Sequence, residues 1–170
     1  MKYIIPLLSI LFTLVSFSSN KSFELAPDIY ILDKEAPIKS LEELTDKLKG
    51  KPLYIDRWAT WCNPCIEQFK YSTDLHNFLK DNKIEIVYLN SDKDLDEQKW
   101  FEFIIDHNLK GYHIRLNNAL GIDLTRKGIY IPGLPQYIII GKDGNLIENK
   151  ALKPSTGEKL HNQLKEKLNL

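Results

Sequence analysis

The chain has 170 residues, of which 43% are hydrophobic and 27% charged; this fits one core of ordinary size and lies far from the polar, aromatic-poor composition of disorder. Lys and Arg total 23 against 23 Asp and Glu, so overall charge offers no broad field to gather phosphate backbones or anionic lipid, and nucleic-acid binding is disfavoured.

In chain order, Met1 and Lys2 precede an almost wholly apolar stretch from Tyr3 to Val15, then Ser16 and Ser18. A positive start, an apolar run and small residues predict a signal peptide over residues 1–18, and hence a periplasmic or otherwise exported protein. The alternative is a retained membrane anchor, the only membrane contact expected. Against it, about 13 apolar residues span only ~20 Å as a helix, short of a ~30 Å hydrocarbon core. A lipoprotein anchor is excluded because the only cysteines are Cys62 and Cys65. Residues 19–39, with Pro27 and Pro37 around Ile29-Tyr30-Ile31-Leu32, predict an extended lead-in, and residues 40–170 the folded domain.

Ser40 with Glu43 makes a capping box for a short helix carrying Leu41, Leu44 and Leu48, stopped by Gly50. Leu53 to Ala59 reads as a buried strand, and Ile66 to Asp81 as a helix of four turns. Ile84 to Asn90 is a branched, apolar run suited to a central strand. Leu95, Trp100, Phe101, Phe103, Ile104 and Ile105 supply the apolar side of the next helix. His113 to Leu116 predicts a short strand and Ala119 to Lys127 a short helix. Gln136 to Ile140 reads as a strand that turns at Asp143-Gly144 and returns through Leu146-Ile147. Ser155 with Glu158 suggests a second capping box for a closing helix with Leu160, Leu164 and Leu168. Strands alternating with helices predict an α/β fold, a central sheet flanked by helices.

Two cysteines three positions apart arise by chance in roughly one random pair in a hundred, so the Cys62-Asn63-Pro64-Cys65 spacing is informative. It also sits between a predicted strand and a predicted helix. A permanent disulfide is one alternative, but so tight a ring constrains the unfolded chain little. Half a metal site is another, but His76, His107, His113 and His161 lack paired ligand spacing, so no metal is expected. A thiol at a helix N-terminus faces unpaired N–H groups that favour its thiolate. Lowering its pKa from ~8.5 to ~7 raises the thiolate fraction at pH 7 about sixteenfold; lost nucleophilicity returns about fivefold of that. The larger effect is on leaving-group ability. Pro64 suits the first helical turn, where its missing N–H costs nothing.

The block Trp58-Ala59-Thr60-Trp61-Cys62-Asn63-Pro64-Cys65, with Gly133-Leu134-Pro135 ahead of a later strand, resembles the thioredoxin superfamily, and more closely its exported TlpA/ResA-like branch, from about Ser40 to Leu168. The resemblance implies a thioredoxin-like fold with an inserted segment before a cis-proline. It also implies an exposed Cys62 as nucleophile, Cys65 as resolving thiol, and a cis Leu134-Pro135 peptide facing them. A cis bend ahead of an edge strand would offer substrate a backbone to pair with, with Leu134, Pro135 and an exposed Trp61 as substrate-binding residues, while Trp58 is buried.

Asp56 lies within the apolar strand at a position matching a thioredoxin Asp. Buried there, its pKa rises and it can carry the Cys65 proton; the alternative is a frayed, solvated strand end shared with Arg57. Relatives of this branch often carry Glu three residues past the second cysteine, where this chain has Gln68, next to Glu67. The function implied is thiol-disulfide exchange without a cofactor, in the reducing direction, on disulfides or thiols of exported proteins, fed by a membrane electron donor. The competing reading is a redox-inactive binding module or chaperone of the same fold. A peroxiredoxin is disfavoured, since its threonine-to-cysteine spacing is absent.

Overall fold

A computed structural model describes residues 26–93 and 97–170; the predicted signal peptide and Leu95 lie outside that range. Six strands form one mixed sheet: β1 (Ile29–Ile31), β2 (Leu53–Trp58), β3 (Glu85–Asn90), β4 (Gly111–Arg115), β5 (Gln136–Ile140) and β6 (Leu146–Glu148). Their order is β1-β4-β3-β2-β5-β6. The first four run parallel to one another, β5 pairs antiparallel with β2, and β6 pairs antiparallel with β5.

Every residue of β2 is buried, as a strand covered on both faces requires. Its side chains alternate between two cores. Leu53 and Ile55 join one, with Leu41 and Leu44 of α1 (Leu41–Lys47) and Leu120 and Leu124 of α5 (Asn118–Arg126). Tyr54 and Trp58 join the other, which holds both cysteines, Leu75 and Leu79 of α3 (Ser72–Asp81), Trp100 and Ile104 of α4 (Glu97–Asp106), and Leu160 and Leu164 of α6 (Glu158–Leu168). The segment ahead of the cis-proline supplies β4 and α5. This is the α/β sheet with flanking helices that the sequence predicts.

Several local expectations change. Ile29–Ile31 is no mere lead-in: it pairs with β4 as an edge strand, Ile29 opposite Gly111. The Ser40 hydroxyl accepts from the Glu43 N–H at 3.1 Å, but the Glu43 carboxylate returns to the Lys39 N–H rather than to that of Ser40. The predicted helix from Ile66 to Asp81 divides into α2 (Asn63–Gln68), a 3-10 turn at Phe69–Tyr71, and α3. No capping box forms at Ser155. Pro154, with its fixed φ, opens a 3-10 turn, Gly157 at φ 53° becomes the N-cap of α6, and the Ser155 N–H goes to Gln68. Finally, β5 is not an edge strand, because the hairpin turn folds β6 against it.

Candidate active site

The polypeptide leaves β2 at Trp58, turns, and enters α2 at Asn63, with Cys62 as N-cap and Pro64 in the first turn. The N–H groups of Cys65 and Ile66 donate to the Cys62 carbonyl at 2.9 and 3.1 Å, and the Cys62 N–H donates to Ala59 at 3.0 Å. Cys62 and Cys65 are joined in a disulfide, Sγ to Sγ 2.07 Å. Cys65 is 1% exposed and Cys62 4%. The exposed Cys62 expected from the sequence is therefore not what the oxidised chain presents: both sulfur-bearing residues are buried and belong to the core that holds Trp58. Trp61 next to Cys62 is 62% exposed. Trp58 is buried, its ring packed against Phe69 and Phe103 with centroids 5.2 Å away in each case.

The Leu134-Pro135 peptide is cis, and Leu134 packs on the same cluster that holds both cysteines. The dithiol, Trp61 and the cis-proline loop thus converge at one end of the sheet.

Two polar devices hold this end in shape. Asp92, in the loop after β3, is buried and accepts from the Thr60 N–H at 3.1 Å, the Thr60 hydroxyl at 3.2 Å and the Asn90 amide at 2.9 Å. It pins the turn leading into Cys62. Arg57, 4% exposed, lies on the opposite face of β2. Its Nη1 donates to the carbonyls of Ile131 and Gly133 at 2.9 and 3.1 Å and to Gln136 Oε1 at 3.2 Å; its Nη2 donates to the Tyr130 hydroxyl at 2.8 Å. One side chain therefore clasps the loop that carries Leu134 and Pro135. Neither residue stood out in the sequence as part of the site. The Asn90-Ser91-Asp92 run at a strand end was the available signal for the first; Arg57 had none, its partners lying more than 70 positions away.

Asp56 is 2% exposed, which removes the frayed-end reading. Strand alternation turns it to the side of Tyr54 and Trp58, and in register it lies between Tyr88 and Tyr137. No donor among the described residues reaches its Oδ1. Burial pushes its carboxyl up to about 8. Gln68 is buried and accepts from the Ser155 N–H at 2.9 Å, tying α2 to the loop before α6. No cluster of metal-ligating side chains occurs among the described residues, and none of their helices is long and apolar enough to cross a membrane.

Residues 21–166 match the Redoxin family. The thiol-disulfide oxidoreductase ResA of Bacillus cereus is 30% identical over 168 residues, covering 94% of this chain and 92% of that protein, and ResA of Bacillus subtilis is 31% identical over 130 residues, covering 75% and 65%. A crystal structure of the thioredoxin domain of a Bacteroides vulgatus thiol-disulfide oxidoreductase superposes with a TM-score of 0.58 at 23% identity, over 71% of this chain and 81% of that one, and shares the fold. Dithiol, cis-proline loop and kinship together place the chain in the Redoxin family, as a TlpA/ResA-like thiol-disulfide oxidoreductase of the thioredoxin superfamily.

Proposed function

We propose that the protein reduces disulfides of exported proteins, with Cys62 as nucleophile and Cys65 as resolving thiol. The supporting observation is the Cys62–Cys65 bond at the strand-to-helix junction, packed against the Leu134-Pro135 loop. In the reduced enzyme the Cys62 thiolate attacks one substrate sulfur, forming a mixed disulfide and releasing the other as thiolate. Cys65 then attacks the Cys62 sulfur, the internal disulfide forms, and the second substrate thiolate leaves. Two electrons pass from enzyme to substrate. A membrane electron donor restores the dithiol.

Asp56 carries the Cys65 proton in this reading. With a pKa of about 8, it is largely neutral at pH 7 and so able to protonate the Cys65 thiolate as the disulfide opens, then recover that proton when Cys65 attacks. Trp61, Leu134 and Pro135 form the docking surface for an extended substrate segment. Because β6 covers β5, the pairing backbone is that of the loop at Leu134 rather than a sheet edge.

The test is trapping. Cys65→Ser protein incubated with a disulfide-bearing substrate should accumulate a conjugate through Cys62, seen by mass spectrometry, and Cys62→Ser should lose insulin-disulfide turnover. Absence of any Cys62 conjugate refutes the assignment.

A further inference from the structure

At the pole of the sheet opposite the dithiol lies a groove of about 740 Å³ lined by five exposed lysines: Lys51, Lys80, Lys83, Lys110 and Lys142. Side-chain carboxylates in its wall come from Asp28 and Glu85 alone, so five lysines against two carboxylates leave a side-chain charge of about +3 there in a chain whose side chains are neutral overall. Glu85 pairs with Lys51, and Asp28 lies 4.0 Å from Lys110. Among the described residues no carboxylate pairs with Lys80, Lys83 or Lys142.

The wall also carries a stacked pair, Tyr30 and Tyr112, centroids 5.1 Å apart, with Tyr30 exposed. Tyrosines of this kind, apolar in body and polar at the tip, favour a membrane–water interface, whereas a site for a small soluble anion gains little from them. The groove is formed where β2, β3 and β4 begin, at Lys51-Pro52, Ile84-Glu85 and Lys110-Gly111. Parallel β1 starts at the same pole, where the Gly111 N–H donates to the Asp28 backbone carbonyl at 2.7 Å. Asp28, just ahead of that strand, therefore lines the groove.

We infer that this lysine- and tyrosine-lined pole seats on a surface of anionic phospholipid headgroups. The six residues of β2 then hold the dithiol ~20 Å further from the bilayer, facing outward. Lysines near an anionic surface act additively, so the three unpaired ones account for roughly a hundredfold preference over a neutral surface.

Lysine acylation of the full-length protein, read by mass spectrometry, tests this without reference to turnover. Vesicles containing phosphatidylglycerol should slow modification of Lys80, Lys83 and Lys142, with Lys153 and Lys159 as unprotected controls; phosphatidylcholine vesicles should not. The K80E/K83E/K142E variant should lose the roughly hundredfold anionic preference while keeping its disulfide turnover. If that variant misfolds, the footprint on the unaltered chain decides. Equal protection by neutral vesicles, or none by anionic ones, overturns the inference. So does protection by free glycerol phosphate, which indicates a soluble-anion site, or by polyglutamate but not vesicles, which indicates an acidic protein partner.

Discussion

Asp56 shows how one buried carboxyl links stability to chemistry. Its pKa is about 8 in the fold and ~3.9 in an unfolded chain, so between these values the native state holds a proton that the unfolded state has released. The stability contributed by the neutral carboxyl is whole below about pH 4 and is lost as pH rises toward 8, at about 1.4 kcal/mol per unit. His76 and His113, pushed down to about 4 by burial, work oppositely, adding stability as pH rises from 4 to ~6.5. Urea unfolding of wild type beside Asp56→Asn isolates the carboxyl, since the histidines cancel. The variant should match wild type near pH 4 and exceed it by several kcal/mol at pH 8; parallel curves would show that Asp56 is not held neutral. Arg57 is a positioning residue. Arg57→Met leaves the Ile131 and Gly133 carbonyls without their charged donor, and a loss of about 2 to 3 kcal/mol follows. Its distinguishing sign is kinetic: KM for a protein disulfide should rise while reduction of the enzyme by a small dithiol stays unchanged. Arg57→Lys should recover only part of this, lacking the planar fork. An unchanged KM in the Met variant removes Arg57 from substrate positioning. From sequence, Asp56 and Arg57 formed one ambiguous polar pair; burial and partners from residues 130–136 separated them.

Among the elements, β4 depends on the glycine at its start. Gly111 has φ 131° and would place a Cβ 2.5 Å from Ile86 Cγ2 and 3.0 Å from the Ile86 carbonyl oxygen, a conformation and a contact that only glycine tolerates. Gly111→Ala should lower stability by about 2 to 4 kcal/mol, read as a fall in urea midpoint at constant slope; a change below about 0.5 kcal/mol means the strand start tolerates a Cβ. Periodicity sufficed for β2, β3, β5 and α6, whose apolar patterns lie within a single run of residues. It missed the division between α2 and α3 because no proline or glycine marks Phe69–Tyr71. It also missed β1, whose three residues gain strand character only from pairing with β4.

For the molecule as a whole, the direction of electron flow depends on how strongly the fold favours the disulfide over the dithiol. In a reductant the oxidised chain is the more stable form, and each 30 mV of potential corresponds to about 1.4 kcal/mol of that preference. Redox titration against glutathione should give a midpoint well below about −200 mV, with the oxidised protein unfolding at higher denaturant than the reduced; a midpoint near about −120 mV would make it an oxidant. Two cores share β2, Tyr54 and Trp58 facing one and Leu53 and Ile55 the other, so the dithiol loop, the Asp92 pin and the Arg57 clasp are fixed relative to one another by a single buried strand.

The dithiol, its place between a strand and a helix, and the alternation of strands with helices are legible in the chain alone, because each is written in contiguous residues and their spacing. That Cys62 is covered in the oxidised chain, that β5 lies inside the sheet, that Arg57 holds the cis-proline loop, and that a neutral chain keeps a basic pole came into view with the folded arrangement alone. Those features depend on groups far apart in the chain meeting at fixed distances, and burial, pairing and local charge exist only after they meet.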